Sequence, residues 1–121
     1  LGTPAWVRHF TAGARFFDAA QAGDFLSTVL PAEVRKLKGC SVVLYQAGAD
    51  PHVNDPLGGW LTTQQLFRRD ALVFSLLREL GVPVVWNLAG GYQKDERGGI
   101  PKVLEIHDNT LRACAEVFLR S

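Results

Sequence analysis

Two short apolar runs on either side of one long amphipathic helix constrain this chain more than any other feature. Val42-Val43-Leu44-Tyr45 and Val84-Val85-Trp86 show no polar alternation, the pattern of strands buried on both faces. Between them Leu66, Leu72, Val73, Leu76, Leu77 and Leu80 recur at helical spacing, and Thr62 with Gln65 has the spacing of a capping box. A strand that returns through a helix to a second strand pairs with it in parallel, by a right-handed crossover. The predicted class is α/β, a partial parallel sheet with flanking helices. A sheet of two strands has two unpaired edges, so further strands or a second copy of the chain are expected beside it.

The remaining elements follow from the same signals. Phe25, Leu26, Val29, Leu30, Val34 and Leu37 predict a helix over 24–38, capped by Asp24 and kinked or divided at Pro31. Gly39 offers a left-handed stop before a strand over 41–46. Gly81 ends the long helix, Pro83 suits the entry of a strand over 82–88, and a closing helix spans 103–119. Its buried side is expected to carry Leu104, Leu111, Cys114, Val117 and Phe118. Residues 1–23 form an unassigned N-terminal segment, in which Trp6, Phe10, Phe16 and Phe17 fit a short helix or an arm packed on the core; residues 24–121 form the domain.

Composition excludes several partners. A net charge of +1, from 13 basic and 12 acidic residues, creates no field that selects nucleic acid or an acidic membrane. No stretch approaches the run of about 18 apolar residues that a membrane-spanning helix needs. Cys40 and Cys114 lack metal-type spacing and are read as reduced, buried thiols of a cytoplasmic protein. A chain that begins at Leu1 and holds no Met is expected to be a fragment of a longer one.

Chemistry is expected in the two long loops, because ligands of an open parallel sheet sit beyond the carboxyl ends of its strands. The first loop runs Gly48-Ala49-Asp50-Pro51-His52-Val53-Asn54-Asp55-Pro56-Leu57-Gly58-Gly59 and the second Ala89-Gly90-Gly91-Tyr92-Gln93. Taken alone, Asp50 reads either as a carboxylate capping loop amides or as a hard anionic ligand for a divalent ion. Gly90-Gly91 alone means a tight turn, and Tyr92 alone a packing or surface residue.

Their order is more specific. Strand, Gly-Ala-Asp, Asp-Pro-Leu-Gly-Gly, helix, strand, Gly-Gly-Tyr resembles the C-terminal part of the histone deacetylase superfamily, with its arginase/deacetylase-like three-layer fold. The bacterial members are the most similar, and the resemblance covers roughly residues 24–118. It implies hydrolysis of N-acetyl-lysine or acetylated polyamine-like amides by a zinc centre. Asp50 then matches the last of three protein ligands to zinc, and Tyr92 the hydroxyl that polarises the substrate carbonyl and stabilises the oxyanion. Gly90 and Gly91 let the backbone pass close to the substrate and aim the ring, and Leu57 lines the channel for the acylated side chain.

The same resemblance says what this chain lacks. The family's other two zinc ligands come from an earlier Asp-x-His, and its proton relay from two adjacent histidines. No His-His pair occurs here, and the residues after His52 mark Asp50-Pro51-His52 as part of the later loop. His52 is therefore read as a loop histidine holding Asp55 or a backbone carbonyl; His107 matches no catalytic position, and His9 lies outside the resemblance. Zn2+ is expected in the complete enzyme, with none held tightly by this chain, which is expected to be inactive alone. The alternative is a noncatalytic α/β interaction module that self-associates through its strand edges.

Overall fold

The computed structural model describes residues 19–119. His9, Trp6, Phe10, Phe16 and Phe17 lie outside the described residues. A 3-10 turn (Ala19–Gln21) leads into α1 (Ala22–Asp24), a π-helical segment (Phe25–Val29) and α2 (Leu30–Arg35). The strand β1 (Val43–Gly48) follows, then α3 (Thr63–Leu80), β2 (Val84–Ala89) and α4 (Pro101–Phe118). The molecule is an α/β structure with one two-stranded parallel sheet flanked by helices, as the alternation predicts. Val43 pairs with Val84, Tyr45 with Trp86 and Gly48 with Ala89.

Local chemistry explains where the elements begin and end. At the start of α3 the Thr62 hydroxyl accepts from the Gln65 N–H at 3.1 Å, while the Gln65 side chain accepts from the Thr62 N–H at 2.9 Å. This reciprocal cap satisfies two donors that a helix start leaves free and contributes about 1 kcal/mol. Gly81 closes the same helix in the left-handed region, at φ +70°. Asp24 is no cap: it has helical dihedrals and no side-chain cap bond, because the helical stretch has already begun before it. Pro31 sits where π-helix passes into α-helix, and the chain stays helical through it. The widened π turn, in which the Leu30 N–H reaches back to the Phe25 carbonyl, accompanies a residue that cannot donate its own bond.

The core lies between α3 and its neighbours, with Leu66, Leu77, Leu26 and Ile106 fully buried among Phe25, Val34, Val73 and Val103. Phe74 packs against the rings of Tyr45, Trp86 and Phe118, which fixes α3 on one face of the sheet. The opposite face corrects the expectation of strands buried on both sides. Leu44 is 78% exposed and its partner Val85 58% exposed, so one face is bare. On α4 the buried stripe is Val103, Ile106, Thr110 and Ala113. The predicted stripe is out of phase: Leu104, Leu111 and Phe118 are exposed, while Cys114 and Val117 are half-buried. Both cysteines are free and half-buried, not buried. Among the described residues no helix is long and apolar enough to cross a membrane.

Candidate functional site

Both motif loops leave the carboxyl ends of paired strands, and the ladder continues one step past them through an Ala49 N–H to Ala89 carbonyl bond of 3.0 Å. That bond draws Asp50 and Gly90 together. A methyl group on residue 90 would overlap Asp50 Oδ1, and one on residue 48 would lie 2.9 Å from the same oxygen. The half-buried Asp50 carboxylate thus rests against two glycine backbones. Gly91 is equally constrained: its φ is +100°, and a Cβ there would meet Val103 at 2.8 Å and Ala49 at 3.0 Å. Larger residues at 90 and 91 would push the loops apart.

Asp55, 5% exposed, ties the loops together. Its Oδ1 accepts from the Leu57 N–H and its Oδ2 from the Tyr92 N–H, each at 2.9 Å. The Tyr92 backbone is therefore held from the first loop while its side chain stays half exposed. Leu57 is 69% exposed, so its side chain projects from the loop surface. The first loop folds back on itself: the Pro51 carbonyl accepts from Trp60 at 2.8 Å and Leu61 at 2.9 Å, and Gly59 passes so close to that strand of backbone that a Cβ would collide with it.

His52 is buried, with Nδ1 accepting from the Asn54 N–H at 3.1 Å and Nε2 2.9 Å from the Thr63 hydroxyl. An accepting Nδ1 places the ring proton on Nε2, so the imidazole is neutral and donates to Thr63. Burial lowers its pKa below the ordinary 6.5, the Lys102 charge adds to the effect, and Asp55 and Glu105 oppose it. It is a loop-holding histidine, as the sequence suggests, but its partners are Asn54 and Thr63; Asp55 is engaged with Leu57 and Tyr92 instead. His107 lies on α4 with a buried Nδ1 that makes no hydrogen bond.

Behind the loops lies a buried polar cluster that the sequence reading missed. Asp70 accepts from the Tyr45 hydroxyl, from Arg69 Nε at 2.9 Å and from the Thr110 hydroxyl at 2.5 Å. Arg69 also donates through Nη1 to the Gly48 carbonyl at 2.8 Å. The phenol of Tyr45 is driven to a higher pKa than a free tyrosine by burial; Arg69 opposes this and Asp70 reinforces it. A signal was available: Arg69 and Asp70 fall on the stripe of Leu66, Val73 and Leu77, where adjacent opposite charges mark a paired buried group.

The family model for the histone deacetylase domain matches residues 15–103. The chain belongs to the histone deacetylase family. An uncharacterized protein of Picosynechococcus sp. is similar to it, 35% identical over 96 residues that make up 78% of this chain and 28% of that protein. The chain spans under a third of the length of that curated relative. No solved structure matches.

Proposed function

We propose that residues 24–121 are the C-terminal portion of a zinc-dependent deacetylase domain that hydrolyses acyl groups, acetyl foremost, from lysine or polyamine-like amides. The observation that supports this reading is the seating of the Asp50 carboxylate against Gly90, two residues before Tyr92 in the chain. Asp50 supplies one anionic ligand. The Tyr92 hydroxyl is the donor for the charge that develops on the carbonyl oxygen. Gly90 and Gly91 let the backbone pass close to the substrate and aim the ring, and Leu57 lines the channel for the acylated side chain. The same reading places the protein in a reducing, cytoplasmic setting, where cysteines as far apart in sequence as Cys40 and Cys114 stay unpaired.

A catalytic zinc needs three protein ligands and an open position, and supplies an acidified water and a Lewis acid when bound. The residues here do not fit a whole centre. Among the described residues no three His, Cys, Asp or Glu side chains are placed to hold a metal ion, and the sequence holds no adjacent pair of histidines to relay protons. On this reading the 121-residue chain alone is expected to be inactive and to bind zinc weakly, through Asp50. Zinc or cobalt titration of the purified chain, with an acetyl-lysine peptide assay alongside, tests this. Weak binding that falls in Asp50→Asn, without turnover, is the expected result; robust turnover, or binding indifferent to Asp50→Asn, overturns it.

A second reading is a noncatalytic module that self-associates. It is favoured by the bare sheet face of Leu44 and Val85 and by the absence of a third strand among the described residues. Sedimentation at several concentrations tests it: concentration-dependent dimers support it, and a compact monomer throughout removes it.

A further inference from the structure

The Arg69–Asp70 pair costs desolvation that two apolar residues would avoid, so its presence on the buried stripe of α3 calls for a role beyond filling space. Its geometry points to one. Asp70 Oδ1 accepts from Arg69 Nε at 2.9 Å and from the Tyr45 hydroxyl of β1, with Arg69 Nη2 2.9 Å from the same oxygen, and this holds the guanidinium in one orientation; the Thr110 hydroxyl of α4 takes the other oxygen. Nη1, on the other arm of the guanidinium, reaches the Gly48 carbonyl at 2.8 Å.

That carbonyl is a particular one. The Val43 N–H bonds to Pro83 and the Ala49 N–H to Ala89, so the backbone groups of odd-numbered residues in β1 face β2. In a parallel ladder the even-numbered residues then face away. Gly48 is even-numbered, and its carbonyl points to an edge where no strand stands among the described residues. Arg69 takes the place of the missing partner, two residues before Asp50.

We propose that Arg69 is a positioning residue: through the Gly48 carbonyl it fixes the end of β1 and so holds the Asp50 carboxylate against Gly90. The role rests on reading the Asp50–Gly90–Tyr92 rim as the site. Lysine could not replace it, because one ammonium cannot grip Asp70 through a planar fork and span to Gly48 as well. Asp70 acts on the rim only by orienting Arg69, through the carboxylate oxygen that Thr110 does not use.

Nuclear magnetic resonance on the whole 121-residue chain tests this without reference to activity or metal, so it can fail while the functional reading stands, and the reverse. In the unmodified chain a through-hydrogen-bond coupling is expected between Arg69 Nη1 and the Gly48 carbonyl carbon, along with an Asp50 Hβ to Gly90 Hα cross-relaxation signal. Arg69→Met should abolish that signal and raise Tyr92 amide exchange about tenfold, the scale of losing one charge-assisted bond from a local opening equilibrium. Thr110→Val weakens the same cluster but leaves Nη1 on Gly48, and should keep both readouts within about twofold of the unmodified chain. Absence of the coupling in the unmodified chain overturns the proposal, and decides the matter even where Arg69→Met fails to fold. So does an Arg69→Met variant that keeps the cross-relaxation signal, or a Thr110→Val variant that loses it equally.

Discussion

The Tyr92 N–H donates to Oδ2 of Asp55 at 2.9 Å, joining two loops whose partners lie 37 residues apart. The second oxygen of the same carboxylate holds the Leu57 N–H, so one side chain sets both the shape of the first loop and its distance from the second. In Asp55→Asn, an amide that keeps its oxygen on Leu57 turns an NH2 group towards Tyr92, and two donors then face each other. The variant is expected to lose about 1–3 kcal/mol, the cost of a buried polar group left unsatisfied. Urea unfolding measures the loss, and faster exchange of the Tyr92 amide than of the α3 core amides localises it. Uniform acceleration across the chain would contradict the assignment.

Gly90→Ala separates a steric role from a conformational one. Gly90 has φ +57°, and its added methyl would collide with Asp50 Oδ1; Gly81 has φ +70° with nothing within 4 Å of an added Cβ. Both substitutions carry the left-handed cost of about 1–2 kcal/mol. Only the first must also displace a carboxylate. Thermal unfolding should therefore show Gly90→Ala as the more damaging, and weak metal binding by the chain should fall in it while Gly81→Ala retains it. Equal effects at the two glycines would remove the Asp50 contact as the reason for Gly90.

Much of this arrangement is legible in the sequence because its signals are local. The Thr62–Gln65 cap, the left-handed Gly81 and the parallel pairing of β1 with β2 each follow from neighbouring residues or from the order of elements. What covers a strand does not. Val42 to Tyr45 reads as doubly buried, yet Leu44 is open, because an apolar run reports a preference and not the presence of a covering layer. In α4 two apolar stripes run side by side, one residue apart: Val103, Ile106 and Ala113 against Leu104, Leu111 and Phe118. Thr110 interrupts the true stripe with a hydroxyl that Asp70 satisfies, so the wrong one looks more apolar. The proximity of Asp50 to Gly90 follows from motif order plus parallel pairing, whereas the helical stripe marks Arg69 and Asp70 as buried without showing that Arg69 bridges acceptors 1 and 21 residues away.

The two α4 stripes can be told apart by truncation. Phe74 is fully buried and meets Tyr45, Trp86 and Phe118, one ring on each strand and one on α4. Phe74→Ala should cost about 3–5 kcal/mol, the range for large cavities in a packed core. Ile106→Ala, at 1% exposure, falls in the range of about 2–5 kcal/mol, while Leu104→Ala, at 54%, should change stability by under about 0.5 kcal/mol. Denaturant midpoints for the three variants check the order. A Leu104→Ala loss as large as that of Ile106→Ala would mean that α4 is rotated by one residue from the position described.

Tyr45 gives the fold a pH dependence on the alkaline side. Its buried phenol donates to Asp70, and burial, opposed by Arg69 and reinforced by Asp70, raises its pKa above the ordinary 10.0. In the unfolded chain the phenol ionises near 10, while in the native state it keeps its proton. Above that pH the unfolded state therefore holds fewer protons than the native one, and stability must fall as pH rises. Below it the contribution is complete and independent of pH. Tyr45→Phe should lose about 1–3 kcal/mol near neutrality, because a hydrogen bond to a buried carboxylate disappears. It should also decline less steeply above pH 10 than the unmodified chain, so the gap between the two narrows. Urea unfolding at neutral and alkaline pH measures both effects. A constant gap across the two conditions would mean that the hydroxyl proton is not held in the native state, and with it the orientation that Asp70 gives to Arg69.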